Sequence, residues 1–172
     1  EKIDPAGYIE QIIQFATKAR KEGIISLESD VKEVKDEFFR KAMMMVIDGA
    51  DPKELEESLE TQIHSHDEHG TMVPKVFEAM GGYSPTIGII GAVMGLIQVM
   101  GHLEDIEAVG HGIAIDFVAT IYGVAFANIL FLPMAGKLTM KKKKKMVIKE
   151  MIITGIKLII EGVNPMIIKD KL

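Results

Sequence analysis

Between Ala79 and Gly101 the sequence runs for 23 residues without an acid, a base or a histidine, and between Phe117 and Gly136 for another 20. Few folds accommodate such runs. About 20 apolar residues in a helix cross the roughly 30 Å hydrocarbon core of a bilayer, and only helices or closed barrels satisfy their backbone polar groups there. The expectation is two membrane-crossing helices, about 84–101 and 112–136. Gly81-Gly82 reads as a break before the first, with Ser84-Pro85 as its cap and first turn. The connection from His102 to Gly110 carries Glu104, Asp105 and Glu107 but no Lys or Arg. Lys137 and the run Lys141 to Lys145 follow the second span directly. Under the positive-inside rule that span ends in the cytoplasm and the acidic connection lies outside, so residues 1–80 are cytoplasmic as well.

Charge is distributed to match. Residues 1–80 hold 18 acids against 10 bases, whereas 137–172 hold 10 bases against 3 acids. The N-terminal 80 residues read as a compact helical domain. Asp4-Pro5 marks an N-cap and first helical position, and Ile9, Ile12, Ile13, Ala16 and Ala19 recur at helical spacing up to Gly23. A second helix runs through Phe38, Phe39, Ala42, Met43 and Val46 to Gly49. A third begins at Asp51-Pro52, where Glu54 makes a capping-box pattern, and shows the stripe Leu55, Leu59 and Ile63. Beyond the lysines, Met151, Ile152, Ile156 and Ile159 continue a helix to Gly162, and Asn164-Pro165 opens a short last one. The fold class is all-α: a membrane helical hairpin, a cytoplasmic helical domain (1–80) and a C-terminal cytoplasmic helical tail (137–172).

Asp116 is the residue most indicative of chemistry. An acid near the end of a membrane helix is costly and marks an ion path or proton relay, unless the helix starts late enough to leave it in the wet interface. Thr120 shares its face at i+4, where its hydroxyl either lines the same path or returns a hydrogen bond to the Asp116 carbonyl. Gly88, Gly91, Ala92 and Gly95 line the first span with small residues, the pattern that lets helices approach closely in lipid. The contact they serve is within the chain, between copies, or with another protein. His64, His66 and His69 beside Asp67 and Glu68 resemble metal ligands in type, but a solvated helix surface explains them more simply. There is no cysteine, which removes disulfides and thiolate sites. No P-loop, dinucleotide fingerprint, nucleophile elbow or HExxH occurs, so neither an enzyme nor a cofactor is indicated, and the lysine run is read as a topology signal and not as a nucleic-acid site.

The stretch Ser84 to Leu96 (SPTIGIIGAVMGL) resembles the third transmembrane helix of MotA proteins, and Phe117 to Val124 (FVATIYGV) their fourth. Ala19 to Glu28 (ARKEGIISLE) is similar to the segment that opens their cytoplasmic domain. On these residues the chain is identified as a member of the MotA family within the MotA/TolQ/ExbB superfamily. The resemblance implies a flagellar motor stator subunit of the bacterial inner membrane, present here as a fragment that lacks the first two transmembrane helices; no leader precedes its first helix. It further implies a five-membered ring around a dimer of MotB-like partners, ion flow that turns the ring, and a push on a FliG-like rotor protein through Arg20 and Glu28. Pro85 and Pro165 correspond to the family's coupling prolines. Thr120 and Ala92 correspond to ion-path positions, the alanine being the proton-type residue. Asp116 departs from the pattern, which has a small apolar residue there. Two alternatives remain open at this point: an ExbB/TolQ-like energiser of outer-membrane processes, and a scaffold whose hairpin only anchors the helical domain.

Overall fold

The computed structural model describes residues 4–172, with the side chains of His66, Glu68 and His69 excepted. The histidine metal reading therefore falls partly outside the described residues. Among the described residues all regular structure is helical. The chain forms α1 (Pro5–Glu22), a 3₁₀ turn (Ile24–Leu27), α2 (Glu28–Lys32), α3 (Glu37–Ile47), α4 (Pro52–Met100), α5 (Ile106–Ala125), a π-helical turn (Phe126–Phe131), α6 (Leu132–Ile160) and α7 (Pro165–Lys171).

Local chemistry sets most of these boundaries. The Asp4 carboxylate accepts from the Ala6 N–H, Asp36 from Phe39, Asp51 from Lys53, Asp105 from Glu107 and Ala108, and the Asn164 side chain from Met166. Each supplies an acceptor to a helix N-terminus whose donors have no partner within the helix. Gly23, Gly49 and Gly162 sit just past helix ends at φ of 85°, 80° and 66°, a backbone region that glycine enters without steric cost.

The expected break at Gly81-Gly82 is absent. Instead α4 continues through both glycines and through Pro74 and Pro85, so Pro85 is an interior helix residue and not a first-turn one. Proline normally breaks a helix by clashing with the carbonyl four residues earlier. Here the residues four earlier are Gly70 and Gly81, whose unencumbered backbones yield most easily. A third proline, Pro133, leaves the Ile129 carbonyl without its usual N–H donor, and the wider π-helical turn falls there.

Two compact units result, one of Glu1–His69 with Lys142–Leu172 and one of Gly70–Lys141. The first has a conventional core. Ile12, Leu27, Val31, Phe39, Met43, Ile152, Ile156 and Ile168 are fully buried and Leu59 nearly so. Phe39 is at the aromatic centre, its ring 5.7 Å from that of Phe15 and 6.4 Å from that of Tyr8. Gly155 lies beneath Ile12, where an added methyl would come within 2.8 Å of the isoleucine Cδ1. Around this core, Lys18 meets Asp30 at 2.8 Å, Lys142 meets Asp67 at 2.6 Å and Lys157 meets Glu56 at 3.1 Å. The Lys149 ammonium lies 5.0 Å from the Phe38 ring centre, and burial there holds its pKa below the ordinary lysine value.

The second unit has almost no core of this kind. Ile87, Ile90, Met94, Ile97, Phe117, Ile121 and Ile129 are each more than half exposed. Among the described residues, two helices are long and apolar enough to cross a membrane.

A seam of small residues around a buried carboxyl

Within the second unit, α4 and α5 run antiparallel and touch along one stripe. A methyl at Gly88 would lie 2.9 Å from the Ala119 carbonyl oxygen and 3.2 Å from the Gly123 Cα. In the other direction, a methyl at Gly123 would lie 2.8 Å from the Ser84 carbonyl oxygen and 3.0 Å from the Gly88 Cα. Two backbones therefore meet at a point where neither helix carries a side chain. The Ser84 hydroxyl donates to the Gly123 carbonyl at 2.9 Å across the same crossing. One turn along, Gly91 faces the Ala119 methyl at 3.6 Å; further on, Gly95 faces the Asp116 carboxyl and Gly112 faces Val99. On α5 the contacting positions are 112, 116, 119 and 123, and on α4 they are 88, 91, 95 and 99. Both follow the i, i+3, i+4, i+7 rule for one helical face. Of the three contacts left open by the sequence, Gly88, Gly91 and Gly95 make the one within the chain.

Asp116 is the eleventh residue of α5 and is 9% exposed, so its side chain is packed within the helix pair. Its Oδ2 is buried without a hydrogen-bond partner. The Thr120 hydroxyl donates at 3.2 Å to the Asp116 backbone carbonyl and not to the carboxyl. Ala92 lies on the seam face of α4, one turn after Gly88 and one before Gly95. Asp116, Thr120 and Ala92 are thus grouped at one stretch of the hairpin.

Arg20, Glu28 and Pro165 lie in the first unit, and Pro85 is inside α4 in the second. Arg20 is exposed in the last turn of α1, and Glu28 is exposed at the start of α2. The turn between them opens with Gly23 in a conformation that L-residues rarely adopt. A hydrogen bond from Lys32 at 2.7 Å, with its charge, holds the Glu28 carboxyl below the ordinary glutamate pKa. Pro165 is the first residue of α7, behind the Asn164 cap. Ser84, Gly112 and Gly123 were missed in the sequence as packing residues. The signal for the two glycines was present in the small or polar run Gly112, Asp116, Ala119, Thr120, Gly123, read at helical spacing.

A pair of apolar helices joined by a short acidic loop and packed glycine to backbone around one carboxyl has the arrangement of a helical membrane hairpin. The chain belongs to the MotA/TolQ/ExbB proton channel family, whose family model matches residues 30–151. It is 34% identical over 164 residues to motility protein A of Borreliella burgdorferi, covering 95% of this chain and 63% of that protein. Against motility protein A of Bacillus subtilis it is 32% identical over 168 residues, covering 95% and 62%. The chain therefore spans somewhat under two thirds of these relatives' length. Among solved structures, the Campylobacter jejuni MotAB structure matches 99% of the chain at 35% identity with a TM-score of 0.95. The flagellar MotAB stator complex of Bacillus subtilis matches with a TM-score of 0.91 at 30% identity.

Proposed function

We propose that this chain is the ion-channel-forming stator subunit of a bacterial flagellar motor, which with a MotB-like partner passes protons and converts their flow into torque. The observation that carries this reading is the match of 99% of the chain to a MotAB structure at a TM-score of 0.95, in a chain whose hairpin has a polar stretch at Asp116 and Thr120. In this reading Thr120, Ala92 and Asp116 border the ion path. The outward-facing apolar residues of α4 and α5 meet lipid, further copies of the chain and the partner's helices. The ring has five members, as the family resemblance implies. Both the N-terminal domain and the C-terminal tail are cytoplasmic, the side on which the Lys141 to Lys145 run belongs, and the membrane is the bacterial inner membrane.

Arg20 and Glu28 are proposed to contact a FliG-like rotor protein, for which their exposure is a precondition. Pro85 and Pro165 are proposed to couple the channel to the helical domain. Proline and Gly81 weaken the helix at the first of these positions, and the second fixes the start of α7.

The test is a motility rescue. The portion of a relative that this chain does not span is supplied from that relative, and the chimera is expressed with its MotB-like partner in a strain lacking its own stator. Swimming that is independent of sodium supports a proton-driven rotary stator. Membrane insertion without rescue moves the assignment to an ExbB/TolQ-like energiser, which the family also contains, or to a scaffold. Charge reversal at Arg20 or Glu28 is expected to weaken swimming while leaving insertion intact.

A further inference from the structure

Asp116 is a buried carboxyl with an oxygen that nothing among the described residues satisfies. From α4, the element packed against it, residues 84–100 offer no Asp, Glu, Lys, Arg or His. On its own helix the nearest titratable groups are His111 and Tyr122, with Glu107 beyond, all exposed and five or more residues away. The one neighbouring hydroxyl, Thr120, is committed to a backbone carbonyl. Unpaired buried charge is among the costliest arrangements a protein holds, and within a membrane helix more so. Such a group persists where something it binds restores the balance.

The surroundings limit what that something is. The carboxyl lies over Gly95, and a single methyl there would collide with its oxygens. The carboxyl fills the space that a side chain at position 95 would take, and the adjoining seam residues Val99 and Ala119 bring no side-chain oxygen. A metal cation needs several oxygens around it. A proton needs only the one that is vacant.

Building on the ion-path reading above, we propose that Asp116 is a proton-binding site that this chain itself brings to the span, in addition to any on a partner helix. As carboxylate it takes a proton from a hydronium ion to give the carboxylic acid and a water. The acid is neutral and is tolerated in the seam, and return of the proton to water regenerates the carboxylate. Gly95 is the residue that keeps this site open.

The experiment uses the full-length protein with its partner in membrane vesicles, treated with dicyclohexylcarbodiimide over a range of pH. This apolar reagent adds across protonated carboxyls within a bilayer and leaves an N-acylurea that peptide mass spectrometry locates. Asp116 is expected to be modified at acid pH and progressively less as pH rises. No modification at any pH, while a carboxyl on the partner's helix is modified in the same sample, overturns the proposal. Asp116→Asn keeps the shape and removes the titration. It is expected to lower proton flux by the order of a hundredfold, the low end for loss of a positioned proton-transferring side chain, and to flatten its dependence on pH. Unchanged flux and pH dependence overturn the proposal even if Asp116 is labelled. Should Asp116→Asn fail to assemble, the labelling of the unaltered protein decides alone. Failure of the stator reading is separable: labelled Asp116 and pH-dependent flux without swimming rescue sinks the motor and keeps the proton site, whereas rescue with an inert Asp116 does the reverse.

Discussion

The two units use the same aliphatic side chains in opposite ways. In the first, Ile12, Leu27, Met43, Leu59 and Ile152 are withdrawn from solvent into one core. In the second, Ile87, Ile90, Met94, Ile97 and Ile121 point outward, and the inner contact is made by Gly88, Gly91, Gly95 and Gly123. The first arrangement is what water drives, since each large apolar side chain removed from it contributes about 1.5–3 kcal/mol. The second is what lipid permits. Hydrocarbon rewards no burial of isoleucine, so the helices are held by close backbone approach and by occasional polar contacts.

Four substitutions probe that contrast, in falling order of effect. Phe39→Ala empties the centre of the first core and is expected to cost about 3–5 kcal/mol. Amide hydrogen exchange on the detergent-solubilised protein reads this as lost protection in α1, α3 and α7, with α5 unaffected. Equal loss in α5 would mean that the two units do not have separate cores. Gly123→Ala places a methyl against the backbone of α4 at Ser84 and Gly88, which cannot move aside as a side chain can. About 1–3 kcal/mol is expected, seen as a broadened distance distribution between spin labels on α4 and α5. An undisturbed distribution would remove the seam as the basis of the hairpin. Ser84→Ala deletes only the hydroxyl bond to Gly123, worth about 0.6 kcal/mol between membrane helices, and the same spin-label pair should barely respond. Lys157→Met, last, removes an exposed ion pair with Glu56 and should move the melting temperature least, and only at low salt. Its hydrogen bond and attraction to Glu56 raise the Lys157 pKa above 10.5. The stabilisation is therefore present in full at neutral pH and is lost as pH rises through that raised value.

Where the sequence spoke locally, it was read correctly. Asp4-Pro5, Asn164-Pro165, Gly23, Gly49 and Gly162 each act through their own backbone and one or two neighbours, and each lies at the helix end it marked. The reading of Gly81-Gly82 and Pro85 as a helix start carried the same local logic into the wrong solvent. In water, exposed backbone competes for hydrogen bonds and such a cluster ends a helix; in an apolar setting no competitor exists and the helix continues. The candidate ion path was half legible. Asp116 and Thr120 are four apart and necessarily share a face, whereas Ala92 entered as an ion-path position only through the family resemblance. That Asp116 lies over Gly95, 21 residues away in sequence, depends on the register of two helices, which periodicity within either helix does not contain.

The Gly88 and Gly123 crossing also bears on how this sequence can change over generations. On the outward faces, isoleucine, leucine, methionine and valine differ little to a surrounding of lipid, and exchange among them leaves the hairpin as it was. At the crossing no larger residue is accepted on either helix while the other stays in place, and a shrinking change to make room is impossible because both positions are already at the minimum. Drift is therefore free over most of the spans and halted along one line, and a comparison of many such sequences should reveal that line as paired columns of small residues in an otherwise interchangeable aliphatic background.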